Sequence, residues 1–242
     1  MTTDELPSVW TRQRRSREQP SLNRAQIVAE AVALLDADGI DALTMRRLGT
    51  RLDAGATSLY RHVANRDELI ELVVDEVYGE IRIPDAGGDW RAAVTACARS
   101  VREMILRHPW IASVLGQVGL SYLGPNVMLL NERMLAMLGA AGFPPDEAGD
   151  ALSTVIAYVI GTGINEAAWL TMLARSGESE QDWQRRLTPT LARAVEDYPN
   201  LRAQFEGTSD QDPTRLREES FAYGLARVLD GLEPRRRSAA PA

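Results

Sequence analysis

The sequence has very little of the two residue types that build disulfides and zinc sites. It contains one cysteine, Cys97, and two histidines, His62 and His108, among 242 residues. A disulfide needs two cysteines, and a structural zinc site takes four ligands that are mostly Cys and His. The composition therefore excludes an intrachain disulfide and a Cys/His zinc site, and it favours a reducing, intracellular compartment. We expect neither a metal nor a cofactor.

Long hydrophobic runs are also missing. The longest candidate, Ala151 to Ile164, is shorter than the roughly 20 residues that a transmembrane helix needs, and Asp150 and Glu166 bracket it. Residues 1–17 contain charges but no apolar segment of the signal-peptide type. We therefore predict a soluble, cytoplasmic protein with no membrane partner.

The net charge of −7 hides an asymmetry along the chain. Residues 1–66 contain 10 arginines and 8 acidic residues, whereas the rest of the chain contains 17 arginines and 26 acidic residues. Only the N-terminal part can therefore approach phosphates favourably. Residues 1–21 mix prolines and arginines without an apolar period, so we interpret them as a flexible basic arm. That arm is either a solvated tail or an extension that reaches DNA.

The apolar spacing that follows the arm predicts three helices, the first of about four turns and the other two short. The first begins near Leu22 and ends before Gly39, and Thr44 caps the second. Residues 53–55 form a tight turn, and Thr57 caps a third helix of barely two turns. A helix this short is stable only when it packs against its neighbours.

A fourth helix begins at a capping box formed by Asn65 and Glu68, and it runs to about Glu80. Proline and glycines between Ile83 and Asp89 then interrupt the pattern. We place a first domain at residues 22–82, with its fourth helix leading into a second domain.

The second domain, residues 89–232, reads as helical throughout, with no convincing strand. Its longest run, Pro145 to about Arg175, is apolar on nearly every side in its middle, which predicts a helix buried all round. This run and a final amphipathic helix at about 212–232 are expected to form a four-helix interface in a homodimer. Residues 233–242 are expected to be a disordered tail.

The second and third helices have the arrangement of a helix-turn-helix, in which the second member enters the major groove. With Leu59 and Val63 facing inward, the outward hydroxyls, Tyr60 and Arg61 can reach phosphates and base edges. The candidates for DNA contact are Arg46, Thr57, Ser58, Tyr60, Arg61, His62 and Arg66. From the pattern alone, a small helical subdomain with an ordinary polar face remains the alternative.

The DNA-binding domain of the TetR (tetracycline-repressor-like) family is similar to this region. The resemblance covers Leu22 to about Ile81, and it is carried by Gly39, Thr44, Arg46, Leu48, Leu52, the run Thr57 to Val63, Asn65, Arg66 and Leu69. It implies that the family's DNA contacts fall on the seven candidates above. Ala56 and Arg61 then imply an operator different from the tetracycline one.

Two positions depart from the family pattern. Asp53 stands where the turn usually has Gly, and Gly49 replaces a usual Ala inside the second helix. Asp tolerates left-handed backbone geometry, and Gly49 costs of order 1 kcal/mol of helix stability while it permits a close helix contact. Neither departure breaks the resemblance.

The resemblance also implies that residues from Trp90 onward form a ligand-binding and dimerisation domain. Large or adaptable side chains with a few polar tips are the pocket candidates. They are Met104, His108, Trp110, Tyr122, Met128, Met134, Tyr158, Asn165 and Trp169. For each of them, the alternative is that the residue simply packs in the helical core.

These observations predict a homodimeric transcriptional repressor. It is expected to bind a palindromic operator in double-stranded DNA and to be released by a small-molecule effector. The alternatives are a helical small-molecule-binding enzyme and an adaptor without DNA binding. No metal set, nucleotide-binding loop or Ser/His/Asp pattern in the sequence supports an enzyme.

Overall fold

The computed structural model describes residues 22–84, 88–115, 124–209 and 211–236. Within these ranges all regular secondary structure is helical, which confirms the predicted all-α fold. The predicted basic arm at residues 1–21 lies outside the described residues. The pocket candidate Tyr122 does too.

Four helices form the N-terminal unit: α1 (Arg24–Asp38), α2 (Met45–Arg51), α3 (Ala56–Leu59) and α4 (Arg66–Tyr78). A capping box begins α1, because Asn23 accepts from the backbone of Gln26 and the Gln26 side chain accepts from the backbone of Asn23. Gly39 ends α1 with a φ of 78°, a value that favours glycine. A short 3-10 helix, Ile40–Ala42, leads to α2.

Capping at α2 and α4 follows the sequence prediction with one difference. The Thr44 side chain accepts from the backbone N–H of Arg47, and Asn65 accepts from that of Glu68. The Glu68 carboxylate, however, accepts from the backbone of Ala64 and not from that of Asn65. The predicted capping box is therefore only half formed, because Glu68 reaches one residue beyond the N-cap.

The predicted start and length of the third helix are wrong. Helix α3 begins at Ala56, so Thr57 lies inside it and does not cap it. It is a single turn, because the carbonyl of Leu59 accepts from the backbone of both His62 and Val63 and closes a tight turn there. The chain then extends into the N-cap of α4.

The C-terminal unit contains seven described helices: α5 (Trp90–Arg107), α6 (Ile111–Leu115), α7 (Pro125–Ala140), α8 (Pro145–Ser176), α9 (Glu180–Ala194), α10 (Pro199–Thr208) and α11 (Pro213–Leu232). Proline occupies the first turn of α7, α8, α10 and α11, where its missing N–H leaves no helical hydrogen bond unmade. The polar segment before α11 holds two helices, α9 and α10.

The predicted disordered tail begins too early. Glu233–Arg235 form a 3-10 helix, and the Arg236 Nε donates to the carbonyl of Ala141 at 2.7 Å. The Arg236 guanidinium also lies 5.6 Å from the ring centroid of Trp90. Residues 233–236 are therefore anchored to the C-terminal unit, and residues 237–242 lie outside the described ranges.

Helix α8 packs against α5, α7 and α11 and has two different faces. The buried face consists of Ala148, Ala151, Leu152, Val155, Val159, Gly163, Ala167 and Leu173. The opposite face, with Thr154, Ala157, Gly161, Ala168 and Met172, is exposed in the single chain. The prediction of a helix buried all round is therefore wrong for one protomer, because only one face has a partner within the chain.

By length and composition alone, α8 could cross a membrane, and 33% of its most apolar window is buried in the protein. Its buried face contributes to a continuous apolar core that also includes Val73 and Val77 of α4. The helices on the two sides of residues 83–89 thus share one core, and the predicted domain boundary there stays a prediction.

Candidate nucleic-acid interface

The recognition segment, Ala56 to Val63, is fastened by two apolar anchors. Leu59 and Val63 are 0% and 1% exposed, and both belong to the core. Between them, Tyr60 is 51% exposed and Arg61 is exposed, while His62 is half-buried. Thr57 is also exposed and Ser58 is half-buried. The structure therefore brings the five predicted contacts of this segment together on an accessible turn.

Arg24 holds the end of the recognition segment, a role that sequence reasoning missed. Its Nε donates to the carbonyl of His62 at 3.3 Å, and its guanidinium lies 4.0 Å from the Glu68 carboxylate. A basic residue in the first turn of a helix opposes the helix dipole. That unfavourable position was the one signal in the sequence that Arg24 makes a contact outside its own helix.

The two flanking candidates differ in their surroundings. Arg46 is exposed at the start of α2, where it can approach a phosphate. Arg66 is also exposed, but its guanidinium donates to the carbonyls of Leu43 and Ile40 at 3.0 and 3.1 Å. It thus ties the start of α4 to the chain before α2. Its contact with the DNA backbone stays a prediction.

The described pocket candidates differ in exposure and in contacts, and their role in a pocket stays a prediction. Met104 and Met134 are each 1% exposed within the core, whereas Met128 is 49% exposed and Asn165 is exposed. The Tyr158 hydroxyl donates to the carbonyl of Phe221 at 2.9 Å, which joins α8 to α11. The alternative of an ordinary core residue fits Met104 and Met134 best.

Two other pocket candidates contact the N-terminal unit. His108 and Trp110 are 3% and 4% exposed, and both reach Asp36 of α1. The His108 Nδ1 lies 2.7 Å from the Asp36 carboxylate, and the Trp110 Nε1 donates to the same oxygen at 2.7 Å. The His108 Nε2 lies 3.2 Å from the carboxylate of Glu80. These contacts join the two units.

Trp169 lies beside a second tryptophan. Its Nε1 donates to Glu180 at 2.9 Å, and its ring meets that of Trp183 edge-on with centroids 6.0 Å apart. Within the described residues the buried Trp183 Nε1 has no hydrogen-bond partner. The cleft, of about 570 Å³, lies between α9 and the start of α11. It is lined by Gln181, Gln184, Arg185, Thr188, Pro189, Ser209, Gln211, Asp212 and Pro213, none of which was a pocket candidate.

A buried ion-pair network links α5, α8 and α11. Arg102, with a side chain only 6% exposed, donates two hydrogen bonds to Glu166 and one to Glu218, at 2.6–2.8 Å. Arg217 also pairs with Glu166, at 3.2 Å. Burial opposes the charged form of Arg102, but the bonds to Glu166 and Glu218 outweigh it and raise the pKa of Arg102. The network is satisfied within the chain.

These features define a class of protein. An N-terminal unit of four helices that presents an accessible recognition turn, joined to a larger helical bundle, is typical of the helix-turn-helix DNA-binding regulators. Comparison with known proteins narrows this class. The family model described as "Bacterial regulatory proteins, tetR family" matches residues 27–73, and "Tetracyclin repressor-like, C-terminal domain" matches residues 83–236. The chain therefore belongs to the TetR family.

Individual relatives agree with this assignment. An HTH-type transcriptional regulator of Saccharopolyspora erythraea is 38% identical over 82% of this chain and 81% of its own length. The HTH-type transcriptional repressor DrrR1 of Streptomyces coeruleorubidus is 32% identical over 94% of this chain and 84% of its own length. The crystal structure of the TetR family protein ActR of Streptomyces coelicolor, in complex with actinorhodin, has a TM-score of 0.75 and 31% identity. The structural match covers 91% of this chain and 100% of the ActR chain.

The family assignment confirms the predicted function in its general form. The protein is a DNA-binding transcriptional regulator of a family that acts as dimers and responds to small-molecule ligands. The roles of the individual site residues stay predictions.

Proposed function

We propose that the protein is a repressor that binds a palindromic operator as a homodimer and leaves it when a small molecule binds the C-terminal unit. The exposed Tyr60 and Arg61 between the buried anchors Leu59 and Val63 support this function most directly. The protein acts by binding and not by catalysis, and it works in the cytoplasm, where its DNA is found.

The candidate residues are suited to two kinds of DNA contact, one with base edges and the other with phosphates. The Arg61 guanidinium can donate to both O6 and N7 of a guanine, which reads sequence. Thr57, Tyr60 and the flanking Arg46 can donate to phosphates, which position the protein without reading a base. Ser58 and His62 are half-buried and lie at the edge of the same surface.

The dimer buries the exposed face of α8 against the same face of a second copy, beside α11. Ala157, Gly161 and Ala168 recur on this face at intervals of four and seven residues, and their small side chains allow two helices to approach closely. The two recognition segments of such a dimer must lie about 34–36 Å apart to enter successive major grooves.

The effector contacts the C-terminal unit, and Trp169 is the pocket candidate with the most structural support. It adjoins Trp183, whose buried Nε1 has no hydrogen-bond partner in the described part of the chain. Actinorhodin, present in the ActR complex, is the first compound to test. Release of bound DNA and a thermal shift are the readouts.

The decisive experiment selects DNA from a random-sequence pool with the purified protein and measures the affinity of the selected duplex by fluorescence anisotropy. We expect a palindromic site whose apparent affinity falls steeply with salt. The Arg61→Ala variant should lose about 1–3 kcal/mol of discrimination at one base pair of each half-site. Arg46→Ala, the matched control, should weaken all duplexes alike.

Two results would contradict the proposal. Failure to enrich any duplex at low salt would favour the adaptor or enzyme alternative. Uniform weakening by Arg61→Ala, together with loss of discrimination in Arg46→Ala, would reverse the roles given to the two arginines.

A further inference from the structure

Polar contacts join the N-terminal and C-terminal units at several places, including Glu80 with Arg107 and His108 and the Arg82 N–H with the Ser100 hydroxyl. Two of these contacts are made by an aspartate of the N-terminal unit. The first, the Asp36 contact, joins Asp36 of α1 to His108 and Trp110. The second, the Asp75 contact, joins Asp75 of α4 to the first turn of α7. Both connect the unit that carries the recognition segment to the unit that carries the α8 face.

The Asp75 contact is built as a helix cap supplied by another helix. The Asp75 Oδ1 accepts from the backbone N–H groups of Asn126 and Val127 at 2.9 and 3.1 Å. The Asn126 side chain donates back to the Asp75 carbonyl at 3.0 Å and to its carboxylate at 3.2 Å. The first N–H groups of a helix have no partner inside it, so a carboxylate there is favoured by hydrogen bonding and by the helix dipole.

Gly124 makes room for this contact. A Cβ atom built on Gly124 would overlap the Asp75 carboxylate. The Asp75 side chain therefore reaches the N-terminus of α7 through a space that a side chain at position 124 would fill. This close fit is a feature of the tertiary structure, since 49 positions of the sequence separate the two residues.

The Asp36 contact lies at another place on the N-terminal unit. Its donors, His108 and Trp110, are almost completely buried. Loss of the Asp36 carboxylate would leave the Trp110 N–H without its acceptor, which is costly in a buried position.

We propose that the Asp36 and Asp75 contacts fix the orientation of the recognition segment relative to the dimer-forming helices, and so set the distance between the two half-sites that the dimer reads. Apolar packing of α4 on α5 and α7 is not directional, so by itself it lets the helix slide or rotate. Hydrogen bonds are directional. One contact leaves a pivot, and two contacts at different places remove it. Asp36, Asp75 and Gly124 are thus positioning residues, and this inference rests on the proposed function.

The test compares two duplexes bound by the full-length protein. One is the duplex that the wild-type protein selects, and the other carries two extra base pairs at its centre. We expect wild type to prefer the first by about tenfold or more. Asp36→Ala and Asp75→Ala should lower this preference at least about threefold, because a loosened unit adapts to the longer spacing.

Two further variants separate positioning from other effects. Glu71→Ala removes a carboxylate from the exposed side of α4, one turn before Asp75, and should keep the wild-type preference. Gly124→Ala should resemble Asp75→Ala, and the double variant should lose no more than either one, because both changes break the same contact.

The outcomes are distinct. A preference that is unchanged or larger in Asp36→Ala, Asp75→Ala and Gly124→Ala would overturn the inference. So would a parallel loss of affinity for both duplexes, which indicates a purely structural role. If wild type binds neither duplex, the proposed function itself fails and this inference fails with it.

Discussion

At the scale of single residues, Arg102 shows how burial changes the importance of an ion pair. Its guanidinium is nearly completely buried and is held by Glu166 and Glu218, whereas Arg82 pairs with Glu103 at 3.6 Å with a side chain 83% exposed. The same ion-pair chemistry therefore occurs in two environments within one chain. Exposed pairs contribute little because water screens them, but breaking a buried pair leaves an uncompensated charge.

We expect Arg102→Met to lower the free energy of unfolding by about 3 kcal/mol, since Glu166 loses a buried partner and keeps only Arg217. Urea denaturation followed by circular dichroism measures this value. Arg82→Met, the matched control, should change it by less than about 0.5 kcal/mol. If the two substitutions change the free energy of unfolding equally, burial of the Arg102 ion pairs does not contribute to stability as argued.

At the scale of secondary-structure elements, the contact between α8 and α11 depends on a glycine. A Cβ atom on Gly224 would collide with the hydroxyl and ring of Tyr158, the residue whose hydroxyl donates to Phe221. Gly149 lies in α8, and a Cβ atom there would meet nothing within 4 Å. The two glycines therefore differ in what surrounds them, although both lie inside helices.

Gly224→Ala should lower the free energy of unfolding by about 1–3 kcal/mol, because the two helices must separate or Tyr158 must move. Gly149→Ala should instead raise it by up to about 1 kcal/mol through higher helix propensity. Thermal and urea denaturation at one protein concentration measure both. An increase in stability for Gly224→Ala would contradict the close approach of α8 and α11.

For the whole molecule, the exposed face of α8 is the proposed dimer interface. We expect Ala157→Arg to shift the protein from dimer to monomer in analytical ultracentrifugation, because a charged side chain would be buried between two small-residue faces. Affinity for the selected duplex should fall at least about tenfold, since one protomer contacts only one half-site.

Ala174→Arg is the control for this prediction. Ala174 is exposed near the end of the same helix but lies away from the Ala157 face. This variant should remain a dimer and bind DNA as wild type does. If Ala157→Arg also remains a dimer, the α8 face is not the interface.

Much of the fold could be predicted because its signals are local. The caps at Thr44 and Asn65 and the stop at Gly39 each depend on residues within one helical turn, and they are found where the sequence placed them. The left-handed turn at Asp53, with a φ of 48°, is equally local. Such features need only the neighbouring residues.

Two of the errors have a common cause. The ordered Arg236 depends on Ala141, far away in the sequence, and apolar periodicity could not show that only one face of α8 is covered within a protomer. Both outcomes depend on which elements meet. The error at α3 is different, because the hydrogen bonds that close the turn at Leu59 come from His62 and Val63, within four residues.

The sequence by itself determined the helices, the position of the recognition segment and the family, because periodicity, caps and a short motif are carried by adjacent residues. Only the tertiary structure decided that Arg24 holds His62, that Arg102 is buried among carboxylates and that Asp36 and Asp75 join the two units. The partners in these contacts lie 38 to 116 positions apart. Folding brings them together, and apart from the unfavourable position of Arg24 in the first turn of α1 no local pattern indicates them.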